Sequence, residues 1–440
     1  MTQAAGGAPR RPTDSLRSAV GGFFSATEIN SRLLGMLVAL VAILLGFHIL
    51  SGGTFLQPAT MGTLIVQMSG TAIVATGMVL VIVSRNIDLS VGSQVGIAAM
   101  LYALLMADWM PALLGIELGD PFAWLIALAI GLTVGVIIGG VQGFIVAYIG
   151  VPSFVVTLGG LLAFRGIVWQ MSSGAAVSGL DETFRKLGGG YRGSVGGDTT
   201  WILAILVCVA IVAFLIYNRW QRKRFGFKLR PIWAEVLLGA VGIVVVLGLA
   251  WFANQAFWPK GATERFAAQN DIAIPAGGLV IPIGFPWPVL LMIGVAVVMT
   301  IIATRRRFGR YVYSYGGNPE AAELAGINTR WVVMKTFIVI GVLCSLAGGV
   351  ASSRLNGATL DIGFQEELDV IAAAVVGGSS FAGGIGTIPG AILGAAVMTS
   401  LRFGLAFEGF NASQQNIVIG VVLIVAVGFD SWNRRRGGGS

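Results

Sequence analysis

Histidine and cysteine are almost missing from this chain, which holds one His and two Cys in 440 residues. A lone imidazole, His48, with no carboxylates near it in sequence makes a poor proton relay and reads as structural. Cys208 and Cys344 both fall inside apolar runs without partner spacing, so neither a disulfide framework nor a Cys/His metal site is indicated; they read as buried bystanders. With a single histidine and no paired carboxylates in motif spacing, hydrolase chemistry has no base to work with. Charge is scarce as well: 11% of residues are ionisable Asp, Glu, Lys or Arg, where an average soluble domain has about 25%. No Gly-x4-Gly-Lys-Ser/Thr run occurs anywhere, so the chain does not carry its own phosphate-binding loop for ATP. Any energy it uses must be supplied by another chain.

What is abundant is apolar. Hydrophobic residues make up 56% of the sequence and the mean hydropathy is +0.85, the composition of an all-α polytopic membrane protein. The 64 glycines, with many Ala, Ser and Thr, suit helices that approach closely across small side chains. Runs near the about 20 residues needed to cross a bilayer lie at 33–51, 59–83, 90–107, 123–148, 153–171, 200–217, 232–252, 287–304, 331–351, 388–406 and 416–430. A shorter run at 367–379 is broken by glycine; counting it gives twelve crossings, so the expectation is about 10–12 transmembrane helices with short or broken ones near the centre.

The basic residues sort into two sets of loops. One set holds Arg10, Arg11, Arg17, Arg32, Arg85, the runs Arg219–Arg230 and Arg305–Lys335, and Arg434–Arg436. The opposite set is basic-poor and carries most of the acids, among them Asp108, Glu117, Asp120, Asp181, Asp361, Glu366 and Glu367. The positive-inside rule places the first set in the cytoplasm, with both termini there. The net charge of +8 is thereby a topological signal, and the basic loops at 219–230 and 305–310 suit anionic lipid headgroups; no nucleic-acid partner is indicated. Residues 1–32 form a cytoplasmic segment. They do not resemble a cleaved signal peptide, because Ser51-Gly-Gly-Thr-Phe55 supplies no cleavage site after the first span. Residues 33–430 form the transmembrane domain and 431–440 a cytoplasmic tail, whose Gly437-Gly-Gly-Ser440 has the look of an expression scar.

Two polar, glycine-containing breaks interrupt the apolar pattern in a related way: Ser84-Arg-Asn-Ile-Asp-Leu-Ser-Val-Gly-Ser93 and Gly377-Gly-Ser-Ser-Phe-Ala-Gly-Gly-Ile-Gly386. Each follows an apolar run and precedes a Gly/Ala-rich one, the pattern of a diverged internal repeat. They either border a translocation path or are plain interhelical turns. The candidates for a path are Gln67, Asn86, Asp88, Ser90, Gln94, Thr157, Arg165, Ser379 and Phe381. Neutral amides and hydroxyls can solvate the hydroxyls of an uncharged solute such as a sugar, or can bond helix to helix. Arg165, a cation within a span, either supports a gate or pins two helices. The acids cluster in loops or at span edges, which weighs against an ion-coupled carrier.

A third segment, Gly316-Gly-Asn-Pro-Glu-Ala-Ala-Glu-Leu-Ala-Gly-Ile-Asn328, reads either as a docking helix of about two turns or as a loop with one helical turn. Asn318 can cap it, Pro319 suits the first helical position, Gly326 can end it, and Glu320 and Glu323 suit the positive end of the helix dipole.

With Val151-Pro-Ser-Phe-Val-Val-Thr-Leu-Gly159 and Phe164-Arg-Gly166, these segments resemble, in order and over about residues 60–430, the membrane subunits of bacterial ABC importers for ribose, xylose and related monosaccharides. The resemblance implies the ABC importer permease fold and a non-enzymatic permease in the bacterial inner membrane. It also implies a homodimer with a second copy, a cytoplasmic ATPase with two nucleotide-binding halves that holds the ATP and Mg, a periplasmic sugar-binding protein and a monosaccharide substrate; no cofactor belongs to this chain. The loop 305–330 would be the cytoplasmic coupling loop, with Asn318, Glu320, Ala321, Ala322, Glu323 and Gly326 set against the ATPase. Residues 172–286 exceed the ribose-type length with an extra span and an outer loop, which points to xylose-type or multiple-monosaccharide permeases. That loop, with Trp251, Trp258, Trp287 and Asp271, either contacts the binding protein or forms an interfacial aromatic belt. Alternatives are a nucleoside or signalling-sugar permease of the same family, and an ATP-independent carrier or channel.

Overall fold

The structure, a computed structural model, describes residues 31–437 apart from 228 and 276. The expected N-terminal segment up to residue 30 and the last three residues of the tail lie outside the described residues. The chain is built from helices: α1 (Ser31–Leu50), α2 (Pro58–Val83), α3 (Val91–Leu104), α4 (Ala123–Phe144), α5 (Ser153–Ser172), α6 (Gly197–Arg224), α7 (Ile232–Ala253), α8 (Lys260–Gln269), α9 (Trp287–Arg305), α10 (Arg307–Gly317), α11 (Pro319–Leu324), α12 (Thr329–Leu355), α13 (Glu366–Val376), α14 (Ile388–Phe407) and α15 (Ala412–Gly437). The strands β1 (Val177–Ser178) and β2 (Gly357–Ala358) pair antiparallel. Among the described residues, ten helices are long and apolar enough to cross a membrane. The chain is thus an all-α polytopic membrane protein, with α13 and the apolar stretch Ala412–Ile424 of α15 as shorter elements.

Burial sorts the helices. In α2, 78% of the apolar window is buried, and in α12, 67%, whereas the figure for α6 and α7 is 11% each. Helices α2, α3, α12 and α14 therefore form the body. The α6–α7 hairpin lies outside it, joined internally by an Arg219–Glu235 ion pair of 2.6 Å, with Val209 and Val244 pointing away from the body.

The glycines of α4 have the use that their abundance suggested. Gly131, Gly135, Gly139 and Gly143 recur every fourth residue, on one helix face. A Cβ at Gly139 would collide with the Phe337 carbonyl, and one at Gly143 would lie 2.9 Å from Met334 Cα. Backbone-to-backbone approach of α4 and α12 is what small residues permit where no solvent drives helices together. Ser345 bonds across this seam to the Gly131 carbonyl at 2.9 Å.

Several boundaries differ from the apolar runs. Helix α3 continues through a π-helical turn, Leu105–Trp109, to Leu114; Pro111 has no N–H to give to the carbonyl four residues back, and the widened turn accommodates that. Helix α6 runs on to Arg224 because basic residues in a last turn suit the negative end of the helix dipole. A larger correction concerns Glu366 and Glu367. They do not lie in an outer loop but open α13 together with Asp369, where acids in a first turn meet the positive end of the dipole.

Candidate functional site

Five helices and the connection after β2 line a cavity of about 680 Å3. Helix α2 contributes Gln67 and Thr71, α12 ends in it with Arg354, and the connection after β2 adds Thr359, Asp361 and Phe364. Helix α13 presents Glu366 and Asp369, α14 presents Thr399, Arg402, Phe403 and Phe407, and α15 adds Gln415. Asp369 and Arg402 form a two-point pair: Arg402 Nη2 donates to Asp369 Oδ1 at 3.0 Å, and Nε stands 2.7 Å from Oδ2. Glu366 lies beside Thr71 and faces the charge of Arg354. Ionic groups so placed compensate one another. The neutral hydroxyls and amides, with the Phe rings, remain to meet a solute.

Behind one wall Phe55, fully buried, packs against Phe47, Phe403 and Phe407 at centroid distances of 5.4, 5.9 and 5.5 Å. That cluster fixes α14 against α1 and so sets the position of Arg402. Arg165 braces the opposite rim. Its Nη1 donates to the carbonyls of Leu360 at 3.1 Å and Ile362 at 2.8 Å, and its guanidinium stands 5.6 Å from the Phe364 ring centroid.

Of the residues expected along a path, Gln67 lines this cavity. Asn86, Asp88, Ser90, Gln94 and Thr157 sit elsewhere, in a sealed network around the start of α3. Asp88 Oδ1 accepts from Ser90 N at 2.8 Å and Ser90 Oγ at 2.6 Å. Gln94 Nε2 donates to Ser90 Oγ at 2.9 Å and to Gln142 Oε1 at 3.0 Å, and Gln142 Nε2 returns a bond to Ser90 Oγ at 2.8 Å. Thr157 bonds the Ser153 carbonyl at 2.9 Å within α5, and Asn86 Nδ2 bonds the Ser84 carbonyl at 2.8 Å. The network ties α3 to α4. In the connection between α2 and α3, burial pushes the Asp88 carboxyl up to about 6, against hydrogen bonds from Ser90 and Gln94 that lower it. Ser379 is buried and Phe381 half exposed, both in the second break.

The segment at 316–328 is helical over Pro319–Leu324. Asn318 Oδ1 caps it, accepting from Ala321 N at 3.0 Å. At the far end Gly326 has φ +79°, and Ile327 N reaches the Ala322 carbonyl at 3.1 Å while Gly326 N reaches that of Glu323 at 2.9 Å. This is a Schellman closure, which needs the left-handed residue that glycine supplies. Ala322 is buried; Glu320, Ala321, Glu323 and Gly326 are exposed. Leu324, which the sequence reading did not single out, is 91% exposed.

Arg354, Asp369, Glu366 and Arg402 line the cavity and were not among the candidates singled out from the sequence. Their signal was weak: acids beside Gly363 read as loop, and a single Arg near a helix end reads as a topological charge. In the outer insertion Trp258 packs edge-on to Tyr191 and Phe266 in a second cavity of about 640 Å3, while Trp251, Trp287 and Asp271 stand exposed outside it. Among the described residues no group of three or more His, Cys, Asp or Glu is placed to hold a metal ion.

Comparison with known proteins bears on the site as a whole. The profile described as branched-chain amino acid transport system / permease component matches residues 60–236 and 231–427. The xylose transport system permease protein of Escherichia coli is 34% identical over 94% of this chain and 96% of its own length. The galactose/methyl galactoside import permease protein of Haemophilus influenzae is 27% identical over 88% of this chain and 91% of its own. The ribose import permease protein of Escherichia coli is 29% identical over 83% of each. No solved structure matches the chain.

Proposed function

We propose, because the chain belongs to the family of branched-chain amino acid transport system permease components, that it is the permease subunit of an ATP-driven importer that moves a monosaccharide, D-xylose or a related sugar, across the inner membrane. It is a transporter subunit and not an enzyme, and it works with an ATPase and a periplasmic binding protein. The observation that carries the sugar reading is the 34% identity to xylose permeases over nearly the whole chain. The cavity supports it: Arg402 is paired with Asp369, and the neutral lining of Gln67, Thr359, Thr399, Gln415 and Phe rings offers hydrogen bonds to hydroxyls and an apolar face to a sugar ring.

The finer architecture is part of the proposal. The end that bears Arg85, Arg305–Arg310 and α11 faces the cytosol, with both termini there and anionic lipid around its basic residues. Two copies make the importer, each receiving on Asn318, Glu320, Ala321, Ala322, Glu323, Leu324 and Gly326 one half of an ATPase that binds ATP and Mg. Closure of the ATPase on ATP pushes α11, and the two protomers swing between inward-open and outward-open states. The sugar arrives from the binding protein at the opposite end, where the cavity between α2, α12, α13 and α14 takes it up.

Uptake of labelled xylose by proteoliposomes that contain the permease, its ATPase and its binding protein tests this reading, with ribose, galactose and leucine as competitors. ATP-dependent accumulation that sugars compete for and leucine does not is the expected result. Accumulation without ATPase, or of leucine in place of sugar, overturns it.

A further inference from the structure

We infer that Arg85 is the positioning residue through which movement of α11 reaches the sugar cavity, an inference that rests on the importer reading above. Arg85 directly follows α2 and its C-cap Ser84, with φ +60°, a left-handed conformation uncommon outside glycine. From there its side chain crosses to the end of α10. Nε donates to the Gly316 carbonyl at 2.7 Å and Nη2 to the Gly317 carbonyl at 2.9 Å. Terminal helix carbonyls lack partners within their own helix, and a cation is favoured there. The next residue, Asn318, is the cap of α11. One side chain therefore grips the backbone immediately before the helix that is pushed.

The second break meets the same point. Gly384 N donates to the Val83 carbonyl at 3.0 Å, Tyr313 Oη donates to the Gly386 carbonyl at 2.7 Å, and a Cβ on Gly316 would collide with Val83 O and lie 2.6 Å from Gly384 N. The ends of α2, α10 and the 377–386 segment thus touch backbone to backbone. From this junction two unbroken helices lead to the cavity. Val83 to Gln67 along α2 spans about 24 Å, and Ile388 to Arg402 along α14 about 21 Å, at 1.5 Å per residue. A displacement of α11 that keeps the Arg85 bonds carries both helices with it; without those bonds the link rests on the Tyr313–Gly386 bond and the Gly316–Val83 contact and is weaker.

The test uses the reconstituted importer with its ATPase and binding protein. For Arg85→Ala, sugar-stimulated ATP hydrolysis and uptake should fall about tenfold, within the roughly 5- to 150-fold range of ordinary coupling free energies, while basal hydrolysis and recovery of the assembled complex stay unchanged. Arg85→Lys keeps a charge but loses the planar two-carbonyl grip, and should restore part of the loss. Uptake within about twofold of wild type, or an equal fall in uptake, basal hydrolysis and complex recovery, refutes the inference, the latter as the mark of a static structural pin. If the alanine variant does not assemble, the lysine variant decides by the same criteria. Glu320→Arg with Gly326→Pro, run alongside, separates the two levels. Loss there with normal Arg85→Ala sinks the latch alone, and normal uptake in both sinks the importer coupling itself.

Discussion

Removing the guanidinium of Arg402 probes the cavity at its strongest contact. The pair with Asp369 is made at 2.7 and 3.0 Å, and the two side chains are 30% and 14% exposed. Breaking a fully buried ion pair costs about 3–5 kcal/mol because the remaining charge is stranded; an exposed pair contributes about 0–1 kcal/mol. Partial exposure places Arg402→Gln between these limits, at about 2 kcal/mol of lost stability. Asp369→Asn should destabilise by a similar amount, since it strands the cation instead. The double variant strands neither charge, so it should recover most of the loss and cost about 1 kcal/mol, a coupling of about 3 kcal/mol. Unfolding midpoints of the purified permease titrated with SDS measure all four corners of this cycle, and sugar uptake on the same preparations reports whether the pair also shapes the path. A coupling below about 0.5 kcal/mol, the error of additivity for independent sites, would refute the claim that these charges compensate each other in the cavity.

Gly139→Val places a branched side chain where α4 touches the Phe337 carbonyl; overpacking of this kind costs about 1–3 kcal/mol, and lower yield and an earlier unfolding midpoint in detergent are expected. Glu320→Arg combined with Gly326→Pro should abolish uptake and sugar-stimulated hydrolysis while the protein still inserts, as read by membrane fractionation. Asp88 carries a pH dependence. Its carboxyl rises from the ordinary 3.8 to about 6 on folding, so the folded protein binds the proton more tightly. Its contribution is full below pH 3.8 and is lost as pH rises through 6, a gap of roughly 3 kcal/mol. Unfolding midpoints measured from pH 4 to 7.5 should fall more steeply for the wild type than for Asp88→Asn; parallel curves would mean that Asp88 is not buried as a carboxyl.

Much of the architecture is legible in the chain because apolar length is a local signal. The runs at 59–83 and 331–351 anticipate α2 and α12 within a few residues, and Asn318, Pro319 and Gly326 announce α11 because capping and closure are decided by residues that are neighbours in sequence. The cavity is legible only in fragments. Gln67, Arg354, Asp369 and Arg402 come from four helices, and no periodicity within one helix tells which other helix it meets. The polar residues of 86–94 attracted attention as a break at membrane depth, yet their hydrogen bonds close on one another around Ser90, an outcome that depends on Gln142 of α4. Arg85 was counted as a topological charge, and its reach to Gly316 spans 231 positions of chain. The abundance of glycine told of close approach without telling that α4 and α12 are the helices that meet.

The double closure of α11 has a consequence for how such importers are assorted. Both of its ends are closed, by its own cap and by the Schellman turn, so on the importer reading a visiting subunit meets side chains on a frame that does not need to refold to be read. If this helix is where the ATPase docks, recognition of one ATPase over another is written in a handful of exchangeable letters around the exposed Glu320, Ala321, Glu323 and Leu324. Swapping that short cassette between related permeases should trade their allegiance and leave the sugar they carry unchanged.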